Sequence, residues 1–238
     1  MTSNTAPPHT PPMPVWRQVL NSTAMTALWV GLMLLGAGRL DWTRGWIAIG
    51  LALAVFGAIA VAVRRFNPGL MTARARWRRS DTKSFDKWIV PPMMALGFVQ
   101  YAVAGREAGC AGCESLAFAW LYPGAALYVA GGLIVGWAMA VNRHAETTVR
   151  IQTDRGHTVV TRGPYRFVRH PMYSGAILLY LGIPLVVGAL GWTAVISAVI
   201  IALMILRTAL EDRTLRRELA GYEHYTTLTP YRLVPGLW

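Results

Sequence analysis

The chain has 238 residues, 54% of them hydrophobic and 14% charged, where a soluble domain carries about 25% charged residues. Its apolar residues gather into long blocks free of Asp, Glu, Lys and Arg, which excludes an ordinary cytosolic domain and marks an integral membrane protein. The 23 Lys and Arg against 11 Asp and Glu give a formal charge of +12. In a soluble chain that excess would raise nucleic acid as a partner; in a membrane chain it reports loops facing anionic lipid, so no nucleic-acid partner is expected.

Residues 1–14 hold five prolines and no Lys or Arg. They lack the basic start of a signal peptide and read as a disordered tail, leaving the first helix uncleaved. Six apolar spans follow: Val19 to Ala37, Gly45 to Val63, Ile89 to Gly105, Leu116 to Val141, Met172 to Ala189 and Trp192 to Leu206. The last two are short for a crossing and form a hairpin turned by Gly188 and Gly191. With six spans, 20 basic residues fall on one side and only Arg39, Arg44 and Arg106 on the other. Basic loops stay inside, so both termini are expected in the cytoplasm.

Between the second and third spans, the basic stretch from Arg64 to Lys87 reads as an amphipathic linker lying on lipid. Cys110 and Cys113 fall in the loop assigned to the outside, where a small disulfide and two incidental thiols are equally compatible with the sequence. No His sits nearby to complete a zinc set, so no metal centre is expected.

The polar residues after Val141 cluster in two stretches, 142–175 and 206–236, that flank the hairpin and share one membrane face. Polar groups near the ends of membrane helices mark a candidate functional site. In Arg169-His170-Pro171-Met172-Tyr173, Pro171 suits the first helical position, which puts His170 at a helix entry with outward-pointing N–H groups. An interfacial loop anchored by Tyr and Arg explains the same composition. Arg207 and Glu211 stand four residues apart on the last helix. They read either as an i,i+4 ion pair or as a guanidinium at interface depth suited to a lipid-borne carboxylate or phosphate.

Seven residues in thirteen, Gly163, Tyr165, Arg169, His170, Pro171, Tyr173 and Gly175, are followed by Arg207-x-x-x-Glu211 and a tail ending in Tyr231 to Pro235. This pattern resembles the C-terminal half of the isoprenylcysteine carboxyl methyltransferase family, and the related phospholipid N-methyltransferases have a similar core. The resemblance implies an all-α, polytopic transmembrane bundle of about six helices, with a cytoplasmic cofactor pocket beside the C-terminal hairpin. Residues 15–238 would form one membrane domain, with 150–236 as its catalytic core. The implied cofactor is S-adenosylmethionine, contacted by Gln152, His157 with the following Thr158-Val159-Val160, Tyr165, His170, Pro171, Met172, Tyr173 and Glu211. Arg207 matches the family's substrate-contacting arginine, and Arg207 and Glu211 are the expected catalytic pair.

Methyl transfer from a sulfonium needs the nucleophile held near attack distance, and a carboxylate nucleophile, already ionised, needs no general base. The expected activity is therefore O-methylation of a lipophilic acceptor, an isoprenoid or isoprenylcysteine-like carboxylate, in a bacterial inner membrane. A lipid amine would instead need a route for proton loss, through Glu211 or His170. A membrane reductase of the sterol-reductase type, using NADPH, carries a similar arginine-histidine-x-x-tyrosine pattern; Pro171 and Met172 favour the methyltransferase. A transporter would show internal repeats with sites at the midplane, whereas the polar residues here cluster on one face.

Overall fold

The computed structural model describes residues 14–76, 79–109 and 114–238. The tail before Pro14, Trp77, Arg78 and the Cys110 to Cys113 segment lie outside them, and with these the tail and both readings of the two cysteines. The described residues form eight α-helices and no strand. They are α1 (Val15–Ala37), α2 (Thr43–Phe66), α3 (Pro68–Ala75), α4 (Ser84–Ala108), α5 (Leu121–Val141), α6 (Pro171–Val187), α7 (Trp192–Glu218) and α8 (Tyr222–Leu228).

Five of these, α1, α2, α4, α5 and α7, are long and apolar enough to cross a membrane, and α6 is a shorter apolar helix. Large apolar side chains such as Leu35, Val61, Trp88, Leu133 and Trp192 face outward, a surface that suits hydrocarbon and not water. The chain is a multi-pass integral membrane protein.

Packed neighbours run in the order α1, α4, α7, α6, α5, α2. The arc closes on a core of Trp29, Met33, Trp42, Ile49, Tyr128 and Leu179, which brings α1 and α2 onto α5 and α6. The most extensive contact is that of α5 with α6. A Cβ on Gly175 would lie 2.6 Å from the Gly131 carbonyl oxygen, and one on Gly182 would lie 2.8 Å from that of Gly124. Small residues let the two backbones touch, which supplies van der Waals contact where lipid offers no hydrophobic drive. The glycine at the end of the sequence motif, Gly175, is thus a packing residue.

Helix ends show how far the C-terminal hairpin reaches. At one end of the bundle, Arg44 at the start of α2 donates to the Leu185 carbonyl at 2.7 Å and the Val186 carbonyl at 2.9 Å, near the end of α6. Glu107, near the end of α4, accepts from the first N–H groups of α7 at Trp192 and Thr193. The turn after α6, closed by Gly188 at φ 82°, a conformation that favours glycine, therefore lies level with the start of α2 and the end of α4. The turn of the hairpin thus reaches the same end of the bundle as its neighbours.

At the opposite end the helices outrun the apolar sequence. Helix α7 has 27 residues and ends at Glu218, twelve beyond the apolar limit at Leu206. An apolar run measures membrane depth, whereas the Arg, Leu, Glu and Ala that follow remain good helix formers. This extension carries Arg207, Glu211 and Asp212 beyond the apolar stretch. Similarly, α5 begins at Leu121, after a 3-10 turn at Phe118–Trp120, where the apolar run starts at Leu116. The elbow between α2 and α3 is clamped beside the end of α5 by Asn67, whose amide donates to the carbonyls of Met139 at 2.8 Å and Asn142 at 3.0 Å.

Candidate active site

Pro171 occupies the first position of α6, as its fixed φ favours. The two residues before it are held by the C-terminal strap: Arg169 N–H donates to the Tyr231 carbonyl and His170 N–H to the Arg232 carbonyl, each at 2.9 Å. The Arg169 guanidinium donates to Asp212 from Nε at 2.8 Å and Nη2 at 3.2 Å, and from Nη1 to the carbonyls of Thr229 and Pro230. Asp212 also receives Tyr222 at 3.0 Å and Arg232 at 3.0 Å, with His170 Nε2 at 3.3 Å. This buried carboxylate, with its full set of donors, is the knot that ties α6, α7 and the strap together.

Above the knot a cavity opens, with about 730 Å³ of space between its walls, part of it in solvent. Gln152, His157, Val160, Tyr165, His170, Met172, Tyr173 and Glu211 all line it. Pro171 does not; it starts the helix that places Met172 and Tyr173. Tyr165 is buried and its hydroxyl accepts from Asn142 Nδ2 at 2.8 Å, and burial raises its pKa further above neutrality. The Tyr173 hydroxyl donates to Glu211 Oε2 at 2.6 Å, and its ring stacks on that of His170 at 12°.

The loop between α5 and α6 forms the opposite wall. Gln152 donates from Nε2 to the His144 carbonyl at 2.7 Å, and its Oε1 lies 3.2 Å from His144 Nδ1. Its backbone N–H donates to His157 Nδ1 at 3.3 Å. The two imidazoles lie against each other with centroids 4.5 Å apart, tilted by 34°. Burial, then the charge of a protonated His144, pull the His157 pKa down to about 4, so His157 is neutral at pH 7.

Arg207 lies elsewhere. Its Nε and Nη2 donate to the two oxygens of Asp86 at 2.7 and 2.9 Å, and Nη2 also to the Thr147 carbonyl at 2.8 Å. The guanidinium sits 5.3 Å from the centre of the Tyr173 ring. Arg207 and Glu211 form no ion pair with each other, which corrects the i,i+4 reading: Tyr173 stands between them, offering its face to the arginine and its hydroxyl to the glutamate. Nor does Arg207 line the cavity, so the structure separates the two residues expected to act as a pair.

Other acidic residues around the cavity also have cations. Glu146 is paired with Arg150 at 2.8 Å and Arg155 at 3.0 Å, and Asp154 with Arg150 at 2.7 Å. Among the described residues, Glu211 is the cavity's carboxylate without a cationic partner.

Sequence reasoning missed Asp86, Glu146, Arg150 and Asp212. Asp86 carried a signal, an acid at the mouth of an apolar span, where a lone carboxylate is costly unless paired. Asp212 stood in the shadow of Glu211, and only the strap's return reveals which of the two faces inward.

Residues 120–220 match the phospholipid methyltransferase family. The matched segment runs from the start of α5 to just past α7 and contains every cavity-lining residue except Tyr222 and Tyr225. That segment is similar to the phospholipid methyltransferases, and together with the five helices long enough to cross a membrane it supports a membrane methyltransferase. No curated protein matches it. Of the motif residues, Gly175 packs the site and Arg169 and His170 build its floor, while Tyr165, Met172, Tyr173 and Glu211 also line the cavity.

Proposed function

We propose that the cavity binds S-adenosylmethionine and that the protein methylates a lipophilic carboxylate, of the isoprenoid or isoprenylcysteine kind, to its methyl ester. The observation that carries this reading is Glu211, a carboxylate in the cavity wall held by Tyr173 and left without a cation. A positively charged ligand with an aromatic group fits such a site. Tyr165 and Tyr173 give it ring faces, Val159, Val160, Met172 and Leu215 give it apolar walls, and Glu211 takes its amino group. When bound, S-adenosylmethionine supplies a methyl on a sulfonium, which passes in line to the acceptor oxygen as the carbon–sulfur bond breaks and its electron pair returns to sulfur.

The chain's own contribution is positioning and charge. The Asp212 knot fixes the loop that carries Tyr165 to the helix that carries Tyr173, holding the walls in register. Candidate bases are engaged: Glu211 accepts from Tyr173, and His170 Nε2 lies between Asp212 and the Tyr222 hydroxyl. That favours an acceptor which brings its nucleophile already ionised. A lipid amine is the second reading, supported by the family description and by Glu211 as the group to take its proton.

Residues 15–238 act as one membrane domain in this reading, with 150–236 as its core. The cavity faces the cytoplasm of a bacterial inner membrane, and both termini lie on that side.

Titration calorimetry on detergent-purified protein with S-adenosylmethionine, its demethylated product and NADPH tests the cofactor. Binding of the first two is expected, and binding of NADPH alone would assign the site to a reductase. Labelled S-adenosylmethionine with prenylated carboxylic acids and with phosphatidylethanolamine then separates ester from amine products.

A further inference from the structure

The charges around the site do not all cancel within the protein, and the remainder is specific. Asp86 is spent on Arg207, Glu146 on Arg150 and Arg155, Asp154 on Arg150 and Arg79, and Asp212 on Arg169 and Arg232. Among the described residues this leaves one half-buried guanidinium beside the cavity with no carboxylate, that of Arg74 on α3.

Arg74 reaches inward from α3. Its Nη1 donates to the Ala145 carbonyl at 2.7 Å and lies 3.9 Å from the sulfur of Met172, a residue of the cavity wall. Its Nε and Nη2 have no hydrogen-bond partner among the described residues. Arg74 itself does not line the cavity, but Ala145 and Met172, which it contacts, both do. Burial and then the neighbouring charge of Arg207 both disfavour its cation, lowering its pKa, while Tyr173, Tyr165 and Glu146 act the other way. An arginine nevertheless keeps its proton, so what the position calls for is an anion.

We propose that Arg74 holds the anionic group of the methyl acceptor, beside Met172 at the margin of the cofactor cavity. This rests on the methyl-transfer reading and moves the acceptor's principal cation from Arg207, whose charge Asp86 already neutralises, to Arg74. The ligand chemistry is a carboxylate or phosphate ester on an apolar tail. Placing it there neutralises the excess positive charge of the Arg74, Arg207 and Asp86 group, and the Nε and Nη2 groups, on one edge of the guanidinium, form a fork for its oxygens. Glu211 and Arg74 then divide the work: the uncompensated anion faces the cationic cofactor, and the uncompensated cation faces the anionic acceptor.

The test measures equilibrium binding of four lipid probes to full-length protein in neutral detergent, without cofactor. They are N-acetyl-S-farnesylcysteine and its uncharged methyl ester, and dioleoyl phosphatidylethanolamine and uncharged dioleoylglycerol. Wild type is expected to prefer a probe that bears a carboxylate or phosphate over its counterpart without one. In R74Q that preference falls about tenfold or more, the uncharged probes bind as before, and R74K retains part of the preference. Loss confined to the farnesylcysteine pair identifies a carboxylate acceptor, and loss confined to the phospholipid pair identifies a phosphate; either supports the proposal.

An unchanged preference in R74Q overturns it, as does the absence of any preference in wild type. A parallel fall for the uncharged probes marks Arg74 as a packing residue and also overturns it. S-adenosylmethionine affinity, read separately on the same proteins, is expected to be equal in wild type and R74Q. A loss only in R74Q would place the cofactor's carboxylate on Arg74 and overturn the acceptor role, whereas failure of wild type to bind the cofactor defeats the methyl-transfer reading alone.

Discussion

Arg207 on α7 and Asp86 on α4 form a two-point ion pair with both side chains buried, at 2.7 and 2.9 Å. Asp86 also accepts the Val149 N–H at 2.7 Å, while Arg207 donates to the Thr147 carbonyl at 2.8 Å. The pair therefore fastens two spanning helices to the strand of loop that leads into the cavity wall. Its planar fork matches the carboxylate, and the two carbonyl and amide bonds satisfy part of what desolvation removed.

Breaking one side of this pair leaves an uncompensated buried charge. Asp86→Asn is expected to destabilise the protein by about 3 to 5 kcal/mol, read as a fall in the thermal unfolding midpoint in detergent. Arg207→Ala should fall similarly, because it strands Asp86. A double substitution that removes both charges should recover much of the loss, and strict additivity of the single effects would refute the coupling.

Glu211 and Tyr173 are expected to govern cofactor affinity without governing stability. Glu211→Gln removes a charge-assisted contact worth about 1.5 to 3 kcal/mol, roughly a tenfold to hundredfold rise in the Kd for S-adenosylmethionine by calorimetry. Tyr173→Phe keeps the ring beside Arg207 and deletes only the hydroxyl that orients Glu211, so a smaller rise is expected. Unchanged affinity in Glu211→Gln would remove the glutamate from the site.

Stability should depend on pH through His157. Its pKa in the folded protein is lowered from the ordinary 6.5 to about 4 by burial and then by His144. The unfolded chain therefore binds the proton first as pH falls, and stability present above 6.5 is lost progressively down to about 4. His144, also lowered by burial, acts in the same direction. Melting midpoints measured from pH 7.5 to 4 should show the decline, and His157→Gln should flatten it. A profile with the same slope in the variant would rule out His157 as its source.

Topology is open to direct labelling. The proposed orientation puts the loop after α4 outside and the loops holding Arg74 and His157 inside. In a background lacking Cys110 and Cys113, a cysteine at Glu114 should react with an impermeant maleimide on intact cells, and one at Gly156 should react only after lysis. Labelling of Gly156→Cys from outside would reverse the assignment.

Several features follow from the sequence by itself. The apolar runs located every spanning helix, because only an uninterrupted apolar surface is stable in hydrocarbon. The turn at Gly188, the helix start at Pro171 and the gathering of Gln152, His157, Tyr165, His170, Tyr173 and Glu211 at one cavity were also legible, since a proline, a glycine or a motif acts through neighbouring residues of the same loop or hairpin.

Which charge answers which was decided by tertiary structure alone. Arg207 meets Asp86 from 121 positions away and not Glu211 from four, because α4 packs against α7 and turns its first carboxylate inward. Asp212 faces the strap and Glu211 the cavity, as neighbours on a helix point in different directions. Arg74 is left without a carboxylate only once every other pair has formed. Ion pairing inside a low-dielectric site depends on distances of a few ångströms between elements remote in sequence, and those distances exist only after the helices have packed.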